Sequence, residues 1–180
     1  MVFHLPNANP GSPAAANASH QSLLTRTLLT MARQRPGLTE SRCRTLLEFL
    51  AADTAVRTKI RHRLAADRLS PVKFQILLSL YAIDPLPASL SDLALHAGIS
   101  PSSASAAITE LVRRHLLISR RDPINRHSFS IHLTLTGRKM ADQAALHFLH
   151  LLEEIARLLP TPLQADLQRG CILLQEGAVG

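Results

Sequence analysis

Residues 91–114 read SDLALHAGISPSSASAAITELVRR, and this stretch decides the fold. Ser91 is placed to cap a short helix that ends at Gly98, where glycine permits the positive φ of a sharp turn between helices. The small Ala94 lets a second helix, which begins after Ser100, approach the first. The stretch therefore predicts a helix-turn-helix.

The same chemical signature marks three predicted helix starts. A hydroxyl residue that can cap free backbone N–H groups is followed by Pro at the first helical position. The three pairs are Ser70-Pro71, Ser100-Pro101 and Thr161-Pro162. The first pair opens a mostly buried helix that reads PVKFQILLSLYA, and the third opens a final helix over residues 163–175.

After the second helix of the turn, the hydrophobic period changes from helical to alternating. Leu116–Ser119 is a short apolar run, Arg120–His127 reads as a turn, and apolar residues alternate with polar ones from Phe129 to Thr134. Two short strands around a basic tip make a β-hairpin. The predicted fold class is mainly α (α+β): a winged helix-turn-helix with a two-strand β-hairpin wing, flanked by N- and C-terminal dimerisation helices.

Long apolar stripes flank this region on both sides. A helix from Thr39 carries apolar residues at three- and four-residue steps as far as Leu64. A helix over residues 136–159 carries two adjacent stripes, more than one small core needs, so we expect part of it to pack against another subunit. The predicted organisation is a flexible basic N-terminal arm (1–36), an N-terminal dimerisation helix (37–68), a winged helix-turn-helix domain (69–137) and C-terminal dimerisation helices (138–180).

The composition favours a polyanionic partner. The 180 residues include 20 Lys+Arg and 13 Asp+Glu, which gives a formal charge of +7. Residues 101–140 hold +5 of this charge, whereas residues 141–180 hold −3. Only 3% of the residues are aromatic and Trp is absent, which argues against a reader of single strands that stacks bases on aromatic rings.

A helix-turn-helix beside a basic hairpin is typical of proteins that bind double-stranded DNA. Hydroxyls and free N–H groups at the start of the second helix suit phosphates and base edges in a major groove. Arg residues of the hairpin suit the DNA backbone or the adjacent minor groove, and Arg114 belongs to the same basic run. The candidate DNA-binding residues are Ser100, Ser102, Ser103, Ser105, Thr109, Arg113, Arg120, Arg121, Arg126 and His127.

Several other classes of protein are disfavoured. Cys43 and Cys171 are too few and too far apart for a disulfide framework, and apolar runs are interrupted by residues such as Lys73 and Asp84. We therefore expect a cytoplasmic, nucleoid-associated protein without membrane contact. The sequence has no phosphate-binding Gly loop, nucleophile elbow or His-Glu-x-x-His motif, so we expect neither an enzyme nor a cofactor.

Six segments together match the pattern of a known family. They are Leu69–Leu77, Leu93-Ala94, Gly98–Ser100, Leu111-Val112, Asp122–His127 and Leu133–Gly137. Over roughly residues 40–176, the chain resembles the MarR family of transcription regulators. The resemblance implies a homodimer that binds a palindromic operator, usually to repress. It also implies release of DNA when a small, often aromatic or phenolic, effector binds between the dimerisation and DNA-binding regions.

Three features depart from the family pattern. Asn125-Arg126-His127 keeps only the central Arg of the usual wing motif, and His115 stands where a helix-ending Gly is usual. Ala106 replaces an Arg often found in the recognition helix, which is left rich in Ser and Ala. We therefore expect backbone contacts and DNA shape to take a larger share of recognition than direct base contacts.

The residues leave two alternative functions open. The Ser/Ala-rich helix and the altered wing also suit a winged-helix module that docks proteins without specific DNA reading. A metal- or thiol-responsive regulator is the other alternative, because His147, His150 and Glu154 have a spacing compatible with Zn²⁺ ligands and Cys43 lies on the first long helix. For His147, His150 and Glu154 the favoured interpretation is a solvated polar stripe that binds no metal. For Cys43 it is a buried structural thiol. Cys171 is interpreted as a core residue.

Overall fold

The computed structural model describes residues 22–121 and 129–178. The chain divides into two compact units, residues 1–55 and 56–180, and the division falls within the second helix. The helices are α1 (Leu23–Gln34), α2 (Glu40–Ala66), α3 (Pro71–Ile83), α4 (Leu90–His96), α5 (Pro101–Arg113), α6 (Leu135–Ala156) and α7 (Thr161–Ala178); the strands are β1 (Leu117–Arg121) and β2 (Phe129–Leu133). The predicted mainly helical, winged helix-turn-helix fold is confirmed.

The first described element of the first unit is α1, a helix of 12 residues. Ser22 caps it, because its hydroxyl oxygen accepts a hydrogen bond from the Thr25 N–H at 3.1 Å. The sequence predicts a flexible arm over residues 1–36 with one amphipathic turn, whereas the structure has about three turns of helix here, with Leu29 buried. Residues 1–21 lie outside the described residues.

The core of the second unit forms around α3. Ile76, Leu77 and Leu80 of this helix have no solvent exposure, and they belong to one cluster with buried residues of α4, α5, β1 and α6. The mostly apolar sequence of α3 predicts this burial, since a helix with apolar residues on most of its surface belongs inside a core. α3 therefore supports both the helix-turn-helix and the start of α6.

Two of the three predicted helix starts are confirmed. Ser70 caps α3 and Ser100 caps α5, each hydroxyl accepting from the N–H three residues later, at 3.3 and 3.2 Å. At α7 the predicted cap is wrong. Thr161 is itself the first helical residue, and the Gln164 N–H donates to the Pro160 carbonyl at 3.2 Å.

The start of α4 also differs from the prediction, which places the cap at Ser91. The cap is Ser89, whose Oγ accepts from the Asp92 N–H at 3.1 Å, while Asp92 Oδ2 accepts from the Ser89 N–H at 3.2 Å. This reciprocal pair is a capping box and begins the helix at Leu90. As predicted, Gly98 follows the helix with a positive φ, +61°.

Two other helices end in left-handed residues that are not glycine. Arg68 follows α2 with φ +56°, and His115 follows α5 with φ +58°. Beyond His115, the Leu116 N–H donates to the Leu111 carbonyl at 2.9 Å, and both leucines are buried. The prediction that His115 adopts a conformation usual for glycine is confirmed.

β1 and β2 pair antiparallel and form the wing. Their register sets Arg120 opposite Ser130 and Arg121 opposite Phe129. Both arginines are therefore strand residues, not turn residues as the sequence predicts. The pairing extends further along the chain than the apolar run, because exposed strand positions tolerate polar side chains.

The wing is anchored to the loop before α4. The Ala88 N–H donates to the Ile131 carbonyl at 3.0 Å, and the Ile131 N–H donates to the Ala88 carbonyl at 2.9 Å. Both side chains are buried. This bridge holds β2 beside the helix-turn-helix.

The start of α6 is built against the end of α5. Thr134 caps α6, its Oγ1 accepting from the Gly137 N–H at 2.8 Å and lying 2.9 Å from the His115 carbonyl oxygen, to which it can donate. α6 therefore begins at Leu135, one residue before the predicted Thr136.

α6 and α7 leave much apolar surface exposed. The first predicted stripe of α6 reaches the core at Ala144 and Leu151, while the second includes Leu149, which is 60% exposed. α7 has no buried residue, and Cys171 is only half-buried there, so its interpretation as core is wrong. Across residues 22–121 and 129–178, none of the helices combines the length and apolar character that a membrane span needs.

Candidate nucleic-acid interface

α5 is the second helix of the helix-turn-helix, and it has one face in the core and one in solvent. Its buried residues are Ala104, Ala107, Ile108 and Leu111. The candidate DNA-binding residues of the helix are all exposed: Ser102, Ser103, Ser105, Thr109 and Arg113. The structure therefore brings these side chains together on the solvent face of one helix.

The first turn of α5 presents a cluster of hydroxyls. Ser100 Oγ lies 2.9 Å from Ser103 Oγ and 3.0 Å from Ser102 Oγ. Ser100 Oγ also accepts from the Ser103 N–H, so this hydroxyl mainly caps the helix. Ser102 and Ser103 are exposed beside the free N–H groups at the positive end of the helix, where a phosphate is favoured.

The middle of the exposed face carries only short side chains. Thr109 Oγ1 donates to the Ser105 carbonyl at 2.9 Å, so its proton is used within the helix and its methyl group and lone pairs face outward. Ala106, where the family often has Arg, is also exposed and adds a methyl group. Contacts by this part of the helix are limited to short reach.

Arg113, at the end of α5, is ion-paired within the protein. Its Nη2 lies 3.0 Å from Glu110 Oε2, and Lys73 Nζ of α3 lies 3.5 Å from Glu110 Oε1. The hydrogen bond from Arg113 lowers the pKa of Glu110, and the charges of Arg113 and Lys73 lower it further. Glu110 was not among the predicted site residues, although its i, i+3 spacing to Arg113 is a signal for such a pair.

The neighbouring Arg114 has a different role. Its Nη1 donates to the Arg68 carbonyl at 2.6 Å, at the end of α2. The residue is half-buried, and it satisfies a carbonyl at the left-handed end of that helix. Within the basic run predicted from the sequence, Arg114 therefore joins α2 to α5.

The described part of the wing carries two further cations. Arg120 and Arg121 are both exposed, and as neighbours on a strand they extend to opposite faces of the hairpin. The Ser130 hydroxyl donates to the Arg120 carbonyl at 3.4 Å, which links the strands near these residues. Arg126 and His127 lie outside the described residues.

A cavity of about 530 Å³ opens beside the second half of α2. Its walls are mostly apolar, and the rings of Phe74 and Phe148 lie 5.1 Å apart between centroids. Arg57 and Arg61 add cationic groups to the lining. Apolar walls with a few charged groups suit a small amphipathic molecule of aromatic character. The remaining lining residues are Ile60, Leu64, Pro71 and Gln75.

The metal and thiol candidates do not assemble into a site. His147 Nδ1 lies 3.0 Å from Asp67 Oδ2 instead, and this contact joins α6 to the turn after α2. No three His, Cys, Asp or Glu residues of the described chain are grouped to hold a metal ion, those of the polar stripe with His150 and Glu154 included. Cys43 is half-buried rather than buried and lines an apolar groove of the first unit.

Comparison with known proteins agrees with this geometry. The model of the MarR family matches residues 69–129, from the residue before the cap of α3 to the first residue of β2. Proteins of that family are transcription regulators, not enzymes. A search of the curated proteins finds no match.

Solved structures share the fold over most of the chain. AbsC, a MarR family transcriptional regulator from Streptomyces coelicolor, has a TM-score of 0.68 at 20% identity, covering 81% of this chain and 99% of that one. The transcriptional repressor CouR, bound to a 23-mer DNA duplex, has a TM-score of 0.63 at 23% identity, covering 72% and 90%. CouR from Rhodococcus jostii RHA1, bound to p-coumaroyl-CoA, has a TM-score of 0.57 at 15% identity, covering 69% and 86%.

Proposed function

Since the chain carries a MarR-family winged helix, we propose that it is a transcription regulator that binds a palindromic operator as a homodimer. The observation that carries the proposal is the exposed face of α5, which presents the hydroxyls of the helix start and Arg113 together. The wing that follows this helix exposes Arg120 and Arg121. The protein acts on the nucleoid in the cytoplasm, most simply as a repressor.

In this proposal α5 enters the major groove of double-stranded DNA. The N–H groups and hydroxyls of its first turn meet phosphates and base edges, while Arg120 and Arg121 bind the backbone on either side of the wing. Arg126 and His127, assigned from the sequence alone, extend the same basic surface. The DNA-bound form of CouR, which shares the fold, supports this mode.

The homodimer is supported by the exposed apolar surface of the C-terminal helices. Leu149 of α6 and Leu163, Leu167 and Leu173 of α7 are each between 46% and 67% exposed in the single chain. Monomeric soluble proteins rarely leave so many large apolar residues on two successive helices. A two-fold dimer would set two α5 helices on the half-sites of a palindrome.

The effector is proposed to bind in the cavity lined by Phe74 and Phe148. An aromatic or phenolic molecule with a negative charge would stack on the rings and pair with Arg57 or Arg61. The p-coumaroyl-CoA complex of CouR supports a ligand of this kind. Binding releases DNA through a population shift, because the effector prefers a conformation in which the α5 helices are badly spaced for the operator.

Fluorescence anisotropy with labelled DNA that flanks the protein's own gene tests the proposal. The Arg120→Ala, Arg121→Ala and Arg126→Ala variants should each weaken binding and reduce the slope of log K against log salt by about 0.9 per lost phosphate contact. The Arg157→Ala variant is the control, since it removes the same charge at the residue that follows α6, outside the proposed interface. Unchanged affinity and slope in all three wing variants would contradict the assigned surface.

A winged-helix module that docks proteins is the second candidate. The observation in its favour is the short reach of Ser105, Ala106 and Thr109, which leaves few side chains for base edges. The same assay separates the two functions. A wild-type protein that binds its own flanking DNA no better than bulk DNA at physiological salt would favour the module.

A further inference from the structure

Glu110 is the one acidic residue of α5, and its carboxylate lies between two cations. Arg113 donates to one oxygen at 3.0 Å, and Lys73 of α3 lies 3.5 Å from the other. The Glu110 and Lys73 side chains are 33% and 23% exposed, against 72% for Arg113. The carboxylate thus sits between α3 and α5, and Arg113 alone of the three extends well into solvent.

Arg113 is also the one cation of the recognition helix. A phosphate contact strengthens binding to any DNA and carries no sequence information, so a mobile Arg on this helix would mainly strengthen non-specific binding. Holding the guanidinium on Glu110 does two things. It lowers the charge available to arbitrary DNA, and it removes rotamer freedom that a specific complex would otherwise have to freeze.

We propose that Glu110 is a specificity-determining positioning residue, which holds Arg113 in one orientation for operator DNA and withholds its charge from other DNA. The inference rests on the proposed DNA-binding function. Direct reading of a base by Glu110, such as a cytosine amino group, is the competing role. The structure argues against it, because both carboxylate oxygens already have cationic partners.

The test compares binding to an operator duplex and to a scrambled duplex of equal length over a range of KCl concentrations. The operator is first located by footprinting on the DNA that flanks the gene. The variants are Glu110→Gln, Arg113→Ala and the double variant. Glu153→Gln is the matched control, since it likewise removes a helical carboxylate, here on α6, that pairs with a nearby arginine, Arg157.

For Glu110→Gln we expect tighter binding to the scrambled duplex, with a salt slope steeper by about 0.9, and a ratio of operator to scrambled affinity about three- to tenfold lower. In the Arg113→Ala background the same substitution should leave the ratio unchanged, because the side chain that Glu110 positions is absent. Glu153→Gln should also leave it unchanged. Thermal unfolding of each variant, followed by circular dichroism, checks that the fold is retained.

Three results would overturn the inference while leaving the proposed function intact. They are an unchanged ratio in Glu110→Gln, a loss of operator affinity with no gain for scrambled DNA, and a change of ratio that persists without Arg113. A wild-type protein without preference for any duplex would instead overturn the proposed function together with the inference. Lys73→Gln keeps the Glu110–Arg113 pair, so it should leave the ratio near that of the wild type. This variant distinguishes the positioning of Arg113 by Glu110 from the contact between Glu110 and α3.

Discussion

Gly137 is required by a close approach of two backbones, not by an unusual φ. A Cβ at this position would lie 1.9 Å from the Leu116 carbonyl oxygen, and backbone atoms cannot move aside as a side chain can. The Thr134 hydroxyl, which accepts from the Gly137 N–H, holds the approach in place. A single missing methyl group thus lets α6 start directly against Leu116, the residue before the first strand of the wing.

We therefore expect Gly137→Ala to lower the free energy of unfolding by about 2–3 kcal/mol, as overpacking does in a rigid site. Urea denaturation followed by circular dichroism measures the change. Gly170→Ala is the control, because a Cβ there meets no atom within 4 Å. It should leave stability unchanged or raise it by up to about 1 kcal/mol, since Ala is the better helix former. Equal losses in both variants would refute the close approach as the cause.

A second residue-scale prediction concerns Glu40, which accepts from Arg33 at 2.6 and 2.9 Å and also from Arg44. The Arg33 hydrogen bond, aided by Arg44, lowers the pKa of Glu40 from an ordinary 4.5 to about 2. Because the folded pKa is the lower one, the pair stabilises the fold above pH 4.5 and that contribution is lost as the pH falls toward 2.

An NMR titration of the Glu40 side-chain carboxyl carbon measures this pKa directly. In the Arg33→Ala variant the midpoint should move up toward 4.5, because the largest cause of the shift is removed. A wild-type midpoint near 4.5 would show that the ion pair between α1 and α2 does not form in solution.

At the scale of elements, the capping box of α4 can be tested by its contribution to stability, with a neighbouring serine as the control. Ser89→Ala should cost about 1 kcal/mol of stability, because it leaves the Asp92 N–H without its acceptor. Ser91→Ala, within the exposed first turn, should cost much less. Chemical denaturation of the two variants decides between the observed cap and the one that the sequence predicts; a larger loss at Ser91 would favour the latter.

The elements that local chemistry determines were predictable from the sequence. Ser70 and Ser100 are each followed by Pro, and this pairing places the starts of α3 and α5 correctly. His115 was identified from the resemblance to the MarR family, because it stands where a helix-ending Gly is usual, and its φ is positive. The prediction of Ser91 as the cap of α4 was wrong because Ser89 has an equally good hydroxyl. The choice between them depends on Asp92, three residues after Ser89, which completes the capping box.

The parts of the site that long-range contacts determine could not be predicted. Nothing local to Arg114 reveals that its guanidinium reaches Arg68, 46 residues earlier in the chain. The link from Glu110 to Lys73 likewise depends on how α3 packs against α5. Arg120 and Arg121 looked like turn residues because a basic pair breaks the apolar alternation, yet strand pairing continues through them.

For the whole molecule, the unequal distribution of charge and apolar surface bears on the proposed homodimer. Residues 101–140, which span the second helix of the turn, the wing and the start of α6, carry +5. Residues 141–180 carry −3 and expose leucines on α6 and α7. Like positive charges on two DNA-binding surfaces would repel at close range, while the C-terminal helices offer apolar area for contact. This arrangement favours a dimer held together by the C-terminal helices.

We accordingly expect the wild-type protein to sediment as a dimer and the Leu149→Glu/Leu167→Glu double variant to sediment as a monomer. Burial of two carboxylates in an apolar interface is unfavourable enough to dissociate it. Analytical ultracentrifugation gives the mass of each species. Leu95→Glu is the control, because Leu95 is 78% exposed on α4, and it should remain dimeric. A wild-type monomer would contradict the proposed assembly.

The bridge between Ala88 and Ile131 has a mechanical consequence. It ties β2 to the loop before α4, so we expect the helix-turn-helix and the wing to move as one rigid domain. Separating β2 from the loop before α4 would break two backbone hydrogen bonds, each contributing about 1 kcal/mol. In the proposed dimer, an effector would therefore act by changing the spacing and relative orientation of two rigid DNA-binding domains, so that they no longer match the helical repeat of DNA. Each domain would keep its shape on leaving the operator.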